Sequence, residues 1–254
     1  MAETGIRFMT FGISPYCEKA RWALDWHRIH YREIGWPPGL HQILAKRCGA
    51  KTSALPILLE GTTVIQGSSA IIDWAERRAE DHARSLAPSN SAGETQEIER
   101  RSNEITAVHV RRLAFAEMLP NYAHFVKPGM FERASGWHRL AGHIMWPVAV
   151  RIMMRGYDLG PGAAAESRAK IVAELDWLDA KLADGRAYLA GERFGRADLT
   201  VASVLAAFAR PKEMPTFHNM RAPEALAADV RRWSERPTMR WVLETYRMHR
   251  RQAN

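Results

Sequence analysis

The strongest constraint in this chain is a change of period. Over about the first 80 residues, short β-rich runs alternate with amphipathic stretches, and beyond them strand signals all but vanish. "IRFMTF" (6–11) reads as a strand. Residues 15–27 read as a helix, with Ala20, Ala23, Leu24 and His27 at i, i+3, i+4 and i+7 on one face. "HYREI" (30–34) is a second short strand, and "GLHQILAKRCG" (39–49) a short helix that stops at a glycine. In "LPILLEGTTVIQG" two apolar runs, 57–59 and 63–65, flank "EGT", which signals a hairpin. "SSAIIDWAERRAE" opens on serines and becomes amphipathic, a third helix. The order β-α-β-α-β-β-α combines a right-handed βαβ unit with an antiparallel hairpin and a closing helix. It predicts an α/β unit: a mixed four-stranded sheet with helices on its faces.

"SLAPSNSAG" (85–93) is small and polar and reads as a linker. It divides the chain into an α/β domain over 1–84 and a second domain over 94–254. The helical segments expected in the second domain are 94–119, 137–155, 163–183, 197–209 and 223–248, the last broken near Pro237. That domain is all-α. There is no internal repeat and no low-complexity segment.

Bulk properties narrow the function classes. The net charge is +8, but the arginines are spread along the chain and cluster only in "YRMHRRQ". Scattered charge reads as a solvated surface, so no nucleic-acid partner is expected, and no zinc spacing implies a metal. The two cysteines, Cys17 and Cys48, form no C-x-x-C pair. A reducing, cytoplasmic compartment is expected. No secretory signal is expected at the N-terminus, and no apolar run approaches the length of a bilayer span, so no membrane partner is expected.

Three short motifs carry candidate chemistry, and each has a plain structural reading beside it. In "SPYC", Ser14 precedes Pro15, a favoured first helical residue, so Ser14 is a helix cap. The same helix start, with unpaired N–H groups and a partial positive charge, lowers the pKa of a thiol placed there, and a cap hydroxyl can donate to the thiolate. Cys17 lies one turn in, where burial is expected. In "ALPILL", Pro56 opens a strand. A cis Leu55–Pro56 bond there would expose the backbone of Leu55. In "IQGSSAII", Gly67, Ser68 and Ser69 open a helix whose N–H groups suit a carboxylate, the plain reading being a serine cap.

Taken in order, these motifs resemble the glutathione S-transferase family over essentially the whole chain. The resemblance is strongest over 6–76, similar to the thioredoxin-like N-terminal domain. In the second domain "YLAGERFGRADLTVASVLA" (188–206) is similar to the approach to the family's central buried helix. The resemblance implies glutathione as co-substrate, an apolar electrophile as its target, no metal, and a homodimer. It implies Ser14 as the group that stabilises the bound thiolate, with Cys17 as the alternative. It also implies Leu55 pairing its backbone with the cysteinyl part, a cis Pro56, and Ser68 on the γ-glutamyl carboxylate.

Two positions depart from the family pattern. Gly67 stands where an acidic residue or Gln is usual, and Gln66 sits one place early. Gly195 stands where Ser or Thr usually lies three residues before the Asp of "A-D", here Asp198, a change expected to affect folding rather than chemistry. The stretch 120–159, rich in Met, Trp, His and Phe, is expected either to help line the apolar co-substrate pocket or to be ordinary core. The resemblance implies a transferase. The alternatives are a binding or regulatory protein on the same scaffold, to which Gly67 points, and a glutathione-dependent thiol oxidoreductase using Cys17.

Overall fold

The structure, a computed structural model, describes residues 5–87 and 91–250. Residues 88–90 of the expected linker and Arg251 and Gln252 of the basic tail lie outside the described residues.

The N-terminal part runs β1 (Ile6–Thr10), α1 (Pro15–Trp26), β2 (Arg32–Gly35), α2 (Leu40–Arg47), β3 (Ile57–Glu60), β4 (Thr63–Gln66) and α3 (Ser68–Arg78). The sheet order is β2-β1-β3-β4, with β1 parallel to β2 and antiparallel to β3, and β3 antiparallel to β4. Alternation along β1 buries both of its faces. Phe8 packs with Ala20, Leu24, Leu58, Ile71 and Trp74, under α1 and α3. Met9, the next residue, packs on the opposite face with Trp36, Ala45, Ile57 and Leu59, under α2. This is the α/β arrangement expected from the period of the sequence.

The remainder is helical: α4 (Ala92–Arg101), α5 (Ala107–Phe131), α6 (Gly136–Gly156), α7 (Ala163–Leu182), α8 (Arg196–Ala209), a short α9 (Pro215–His218), α10 (Glu224–Ser234) and α11 (Pro237–His249). The break at Pro237 is as expected. The segment expected to stop near Leu119 does not stop. A π-helical turn, Ser102–Thr106, joins α4 to α5, and α5 runs through Pro120 and Pro128. The missing proline N–H is accommodated by a kink, with Tyr122 at φ −126° and ψ 29°, while Met118, Leu119, Val126 and Met130 stay in the core.

Helix α8 is buried along nearly its whole length and packs against α1 and α11. At its start Gly195 supplies no cap side chain. Asp198 Oδ2 accepts the Gly195 N–H at 2.9 Å, and Oδ1 accepts the Leu189 N–H at 2.7 Å.

Helix α1 lies between the sheet and α8, and it is buried on more than the one face its apolar spacing marks. Glu18, Lys19 and Arg21 are buried as well. Buried charges require partners, and these come from distant segments. Lys19 Nζ donates to Glu99 at 2.6 Å and Asn103 at 3.3 Å, while Arg21 pairs with Glu18 at 2.6 Å and Glu33 at 2.5 Å. Arg250 of the basic tail pairs with Glu18 and with Asp25, each at 2.8 Å. That tail charge is therefore committed to the fold and fastens the last helix to α1.

Candidate active site

The lead-in to α1, the loop before β3, and helices α5 and α6 enclose a cleft of about 450 Å³. Its walls are mostly apolar, with Phe11, Val110, Phe115, Met118, Met130 and Phe217 among them. The stretch 120–159 does contribute, through Met130, Ala149, Ile152, Met153, Gly156 and Tyr157.

Ser14 lines this cleft, half-buried, as the N-cap of α1. Its backbone is extended (φ −83°, ψ 120°), Pro15 occupies the first helical position, and its Oγ accepts the Cys17 N–H at 3.3 Å. Capping uses a lone pair of the hydroxyl, whose proton is within reach of the Cys17 sulfur on one side and the cleft on the other. The loop is held by close backbone approach. A β-carbon on Gly12 would meet the Gly129 carbonyl at 2.5 Å, and one on Gly129 would meet Ile13 Cγ2 at 2.1 Å. Both positions must be glycine for the start of α1 to rest against α5.

Cys17, the expected alternative to Ser14, lies in the core. Its side chain is fully buried, its Sγ accepts the Phe11 N–H at 3.4 Å, and burial pushes the thiol up to about 11, against the lowering effect of the Ser14 and Phe11 contacts. A reactive thiol needs exposure and a depressed pKa. Cys17 has neither.

Leu55 lines the cleft and the Leu55–Pro56 peptide is cis. Pro56, Gly67 and Ser68 are adjacent rather than in the lining, and the Gly67 N–H donates to the Pro56 carbonyl at 3.0 Å. The serine-cap reading of the third helix is corrected: Gly67 is the N-cap of α3 and Ser68 its first residue. Gly67 has φ +93°, a conformation that favours glycine, and no side chain caps α3. The two serines then diverge. Ser69 Oγ donates to Glu99 at 2.9 Å and accepts from Lys19 at 3.4 Å, whereas the Ser68 hydroxyl has no partner among the described residues.

Gln66 does not substitute for the side chain missing at position 67. Its Nε2 donates to the Thr52 carbonyl at 2.7 Å, to Thr52 Oγ1 at 2.9 Å and to the Ala54 carbonyl at 2.9 Å, and its Oε1 accepts the Thr52 N–H at 3.2 Å. It pins the loop that carries Leu55 into the cleft wall.

Tyr16, His41, Arg111 and Tyr157 also line the cleft, and the sequence motifs flagged none of them. Tyr16 is the neighbour of two flagged residues, so its position in "SPYC" was the available signal. Its hydroxyl donates to the Asn103 carbonyl at 2.8 Å. Burial holds His41 down at about 4, and its Nδ1 accepts the Gly39 N–H at 3.1 Å, so the ring is neutral. Among the described residues no group of three or more His, Cys, Asp or Glu is placed to hold a metal, and no helix is long and apolar enough to cross a membrane.

Two family models match: "Glutathione S-transferase, N-terminal domain" over 8–83 and "Glutathione S-transferase, C-terminal domain" over 161–236. No curated protein matches in sequence. Among solved structures, the fold is similar to the β-etherase LigF of Sphingobium sp. strain SYK-6 (17% identity, 95% of this chain and 99% of that chain, TM-score 0.59). It is similar too to a glutathione S-transferase of Rhodospirillum rubrum F11 (18%, 94% and 91%, TM-score 0.56). A third is the theta class glutathione S-transferase of Xanthomonas axonopodis pv. citri with glutathione bound (18%, 94% and 97%, TM-score 0.57). At these identities the likeness speaks for the fold. With both halves matched by family models that together span more than half of its length, the chain belongs to the glutathione S-transferase family.

Proposed function

We propose that this protein is a glutathione-dependent transferase in which Ser14 stabilises the thiolate of glutathione for attack on an apolar electrophile held in the cleft. The observation that carries this reading is the different exposure of Ser14 and Cys17. Ser14 lines an apolar cleft, while Cys17, in side-chain contact with it, is sealed in the core.

The chain's own groups account for the parts of such a site. The N-terminus of α1 carries a partial positive charge beside Ser14, which favours thiolate over thiol. The free Ser68 hydroxyl and the uncapped first turn of α3 suit a carboxylate. Leu55 supplies backbone polar groups at the cleft wall, on a loop that Gln66 fixes. The apolar walls exclude water and bring the electrophile within reach of the sulfur, a proximity effect. The test is conjugation of glutathione to an apolar aryl halide. Ser14→Ala is expected to lose about tenfold or more in kcat/KM, and Cys17→Ala to keep most of it. Equal activity of Ser14→Ala and wild type would remove Ser14 from the mechanism.

One observation favours a second reading, a binding protein without transferase activity. Position 67 has no side chain and Gln66 is fully committed to the Thr52–Ala54 loop, so the γ-glutamyl end has fewer side-chain partners. Melting curves with and without millimolar glutathione separate the cases: a ligand that binds the native state raises the melting temperature. Stabilisation without turnover selects the second reading, and absence of stabilisation excludes glutathione from both.

A further inference from the structure

Thiol activation at Ser14 makes no use of Arg111. Arg111 and Arg112 are neighbours on α5 and have opposite surroundings. Arg112 faces outward and pairs with Asp158 at 3.0 Å and Glu166 at 2.6 Å. Arg111 lines the cleft. Its guanidinium lies 4.4 Å from the centroid of the Tyr157 ring. Its Nε is shut off from solvent with no hydrogen-bond partner, and no carboxylate among the described residues forms an ion pair with it. The cleft lining contains no Asp or Glu.

A guanidinium is charged at every relevant pH, so the cleft holds a permanent positive charge against largely apolar walls. An unpaired charge in such surroundings is costly, and a ligand that brings a planar oxyanion removes that cost. The Tyr157 ring lies against the guanidinium, and its terminal N–H groups are the pair that a carboxylate can engage with two parallel hydrogen bonds. The neighbours along α5, Val110, Ala114 and Phe115, line the same cleft and are apolar. The matching ligand is therefore apolar over most of its length and anionic at one end.

We propose that Arg111 is a specificity residue that selects an apolar co-substrate bearing a carboxylate. This rests on reading the cleft as the co-substrate side of a glutathione transferase. Glutathione also carries carboxylates, so the test must separate the two sources.

The experiment is calorimetric titration of the full chain with phenylbutyrate, with its neutral counterpart phenylbutanol, and separately with glutathione. The proteins are wild type, Arg111→Met and Arg111→Lys. In wild type the acid is expected to bind about tenfold tighter than the alcohol or better. Arg111→Met is expected to abolish that preference and leave glutathione affinity within about twofold. Arg111→Lys is expected to retain part of it, as a point charge without the fork. Equal binding of acid and alcohol to wild type overturns the proposal. So does an Arg111→Met variant that weakens glutathione and leaves the acid unaffected, because the arginine would then hold glutathione itself. The wild-type comparison needs no variant to fold, and no arm requires turnover, so failure of the transferase reading leaves the result readable.

Discussion

Thiol modification separates the two cysteines and tests the role assigned to the core around α1. Cys17 has no exposed surface, and burial takes its thiol from an ordinary 9.0 up to about 11. That change alone lowers the thiolate population at neutral pH about a hundredfold. Access then requires the start of α1 to open, a motion resisted by the contact of its lead-in loop with α5 and by the ion pairs of Lys19 and Arg21. Cys48 is half-buried at the end of α2, with its Sγ donating to the Ala45 carbonyl at 3.1 Å. A Cys48→Ser variant keeps that hydrogen bond and leaves Cys17 alone to be counted. In a disulfide-exchange assay with a chromogenic reagent, native Cys48→Ser protein is expected to react at least about a hundredfold more slowly than the same protein in denaturant. Wild type should show one accessible thiol when native and two when unfolded. Native Cys48→Ser protein reacting within about tenfold of the unfolded rate would contradict the burial argument and return Cys17 to consideration as a nucleophile.

Other outcomes follow from the same geometry. Burial opposes ionisation of Glu76, but the His27 ring at 3.0 Å, the Ser85 hydroxyl and the Leu86 N–H at 3.1 Å outweigh it and hold the carboxyl down at about 2. A depressed folded-state carboxyl gives stability that is complete above its ordinary 4.5 and is lost as pH falls toward 2. After allowance for partial solvent screening this amounts to about 1–2 kcal/mol. Glu76→Gln should flatten the melting-temperature profile across that window, and an unchanged acid profile would refute the assignment. Gly67→Ala meets open space but forces a side chain into φ +93°, so it should lower stability by about 1–3 kcal/mol in a denaturant titration. Gln66→Ala frees the loop 52–54 from four hydrogen bonds and should weaken glutathione binding through Leu55. Calorimetry showing unchanged affinity would place that loop outside the site.

Features set by local chemistry were legible in the sequence, and those set by distant partners were not. The serine cap of α1 follows from Ser14 and Pro15 alone, and the parallel β1–β2 pair and the β3–β4 hairpin from alternation and turn residues. Apolar spacing marked one face of α1, yet Glu18, Lys19 and Arg21 are also buried, because Glu33, Glu99 and Arg250 come to meet them. The helical segment is expected to end at 119, but core packing on both sides carries α5 through Pro120 and Pro128. The commitment of Gln66 depends on Thr52, which lies on another loop. Arg111 cannot be told from Arg112 in "VRRL", because only the packing of α5 decides which of them enters the cleft.

The central claim is that the Ser14 hydroxyl holds a thiolate, and its most direct measurement is the pKa of bound glutathione. The thiolate can be titrated by its ultraviolet absorbance in wild-type and Ser14→Ala protein saturated with glutathione. A hydrogen bond from a hydroxyl to a charged acceptor is worth about 1.5–3 kcal/mol, which corresponds to about one to two pKa units. Ser14→Ala should raise the pKa of the bound thiol by that amount, and Ser14→Thr should largely preserve it. Loss of the cap itself costs about 1 kcal/mol, which at this size lowers the melting temperature by only about 2–4 °C, so the fold survives the test. Superimposable titration curves for saturated wild type and Ser14→Ala would contradict the account.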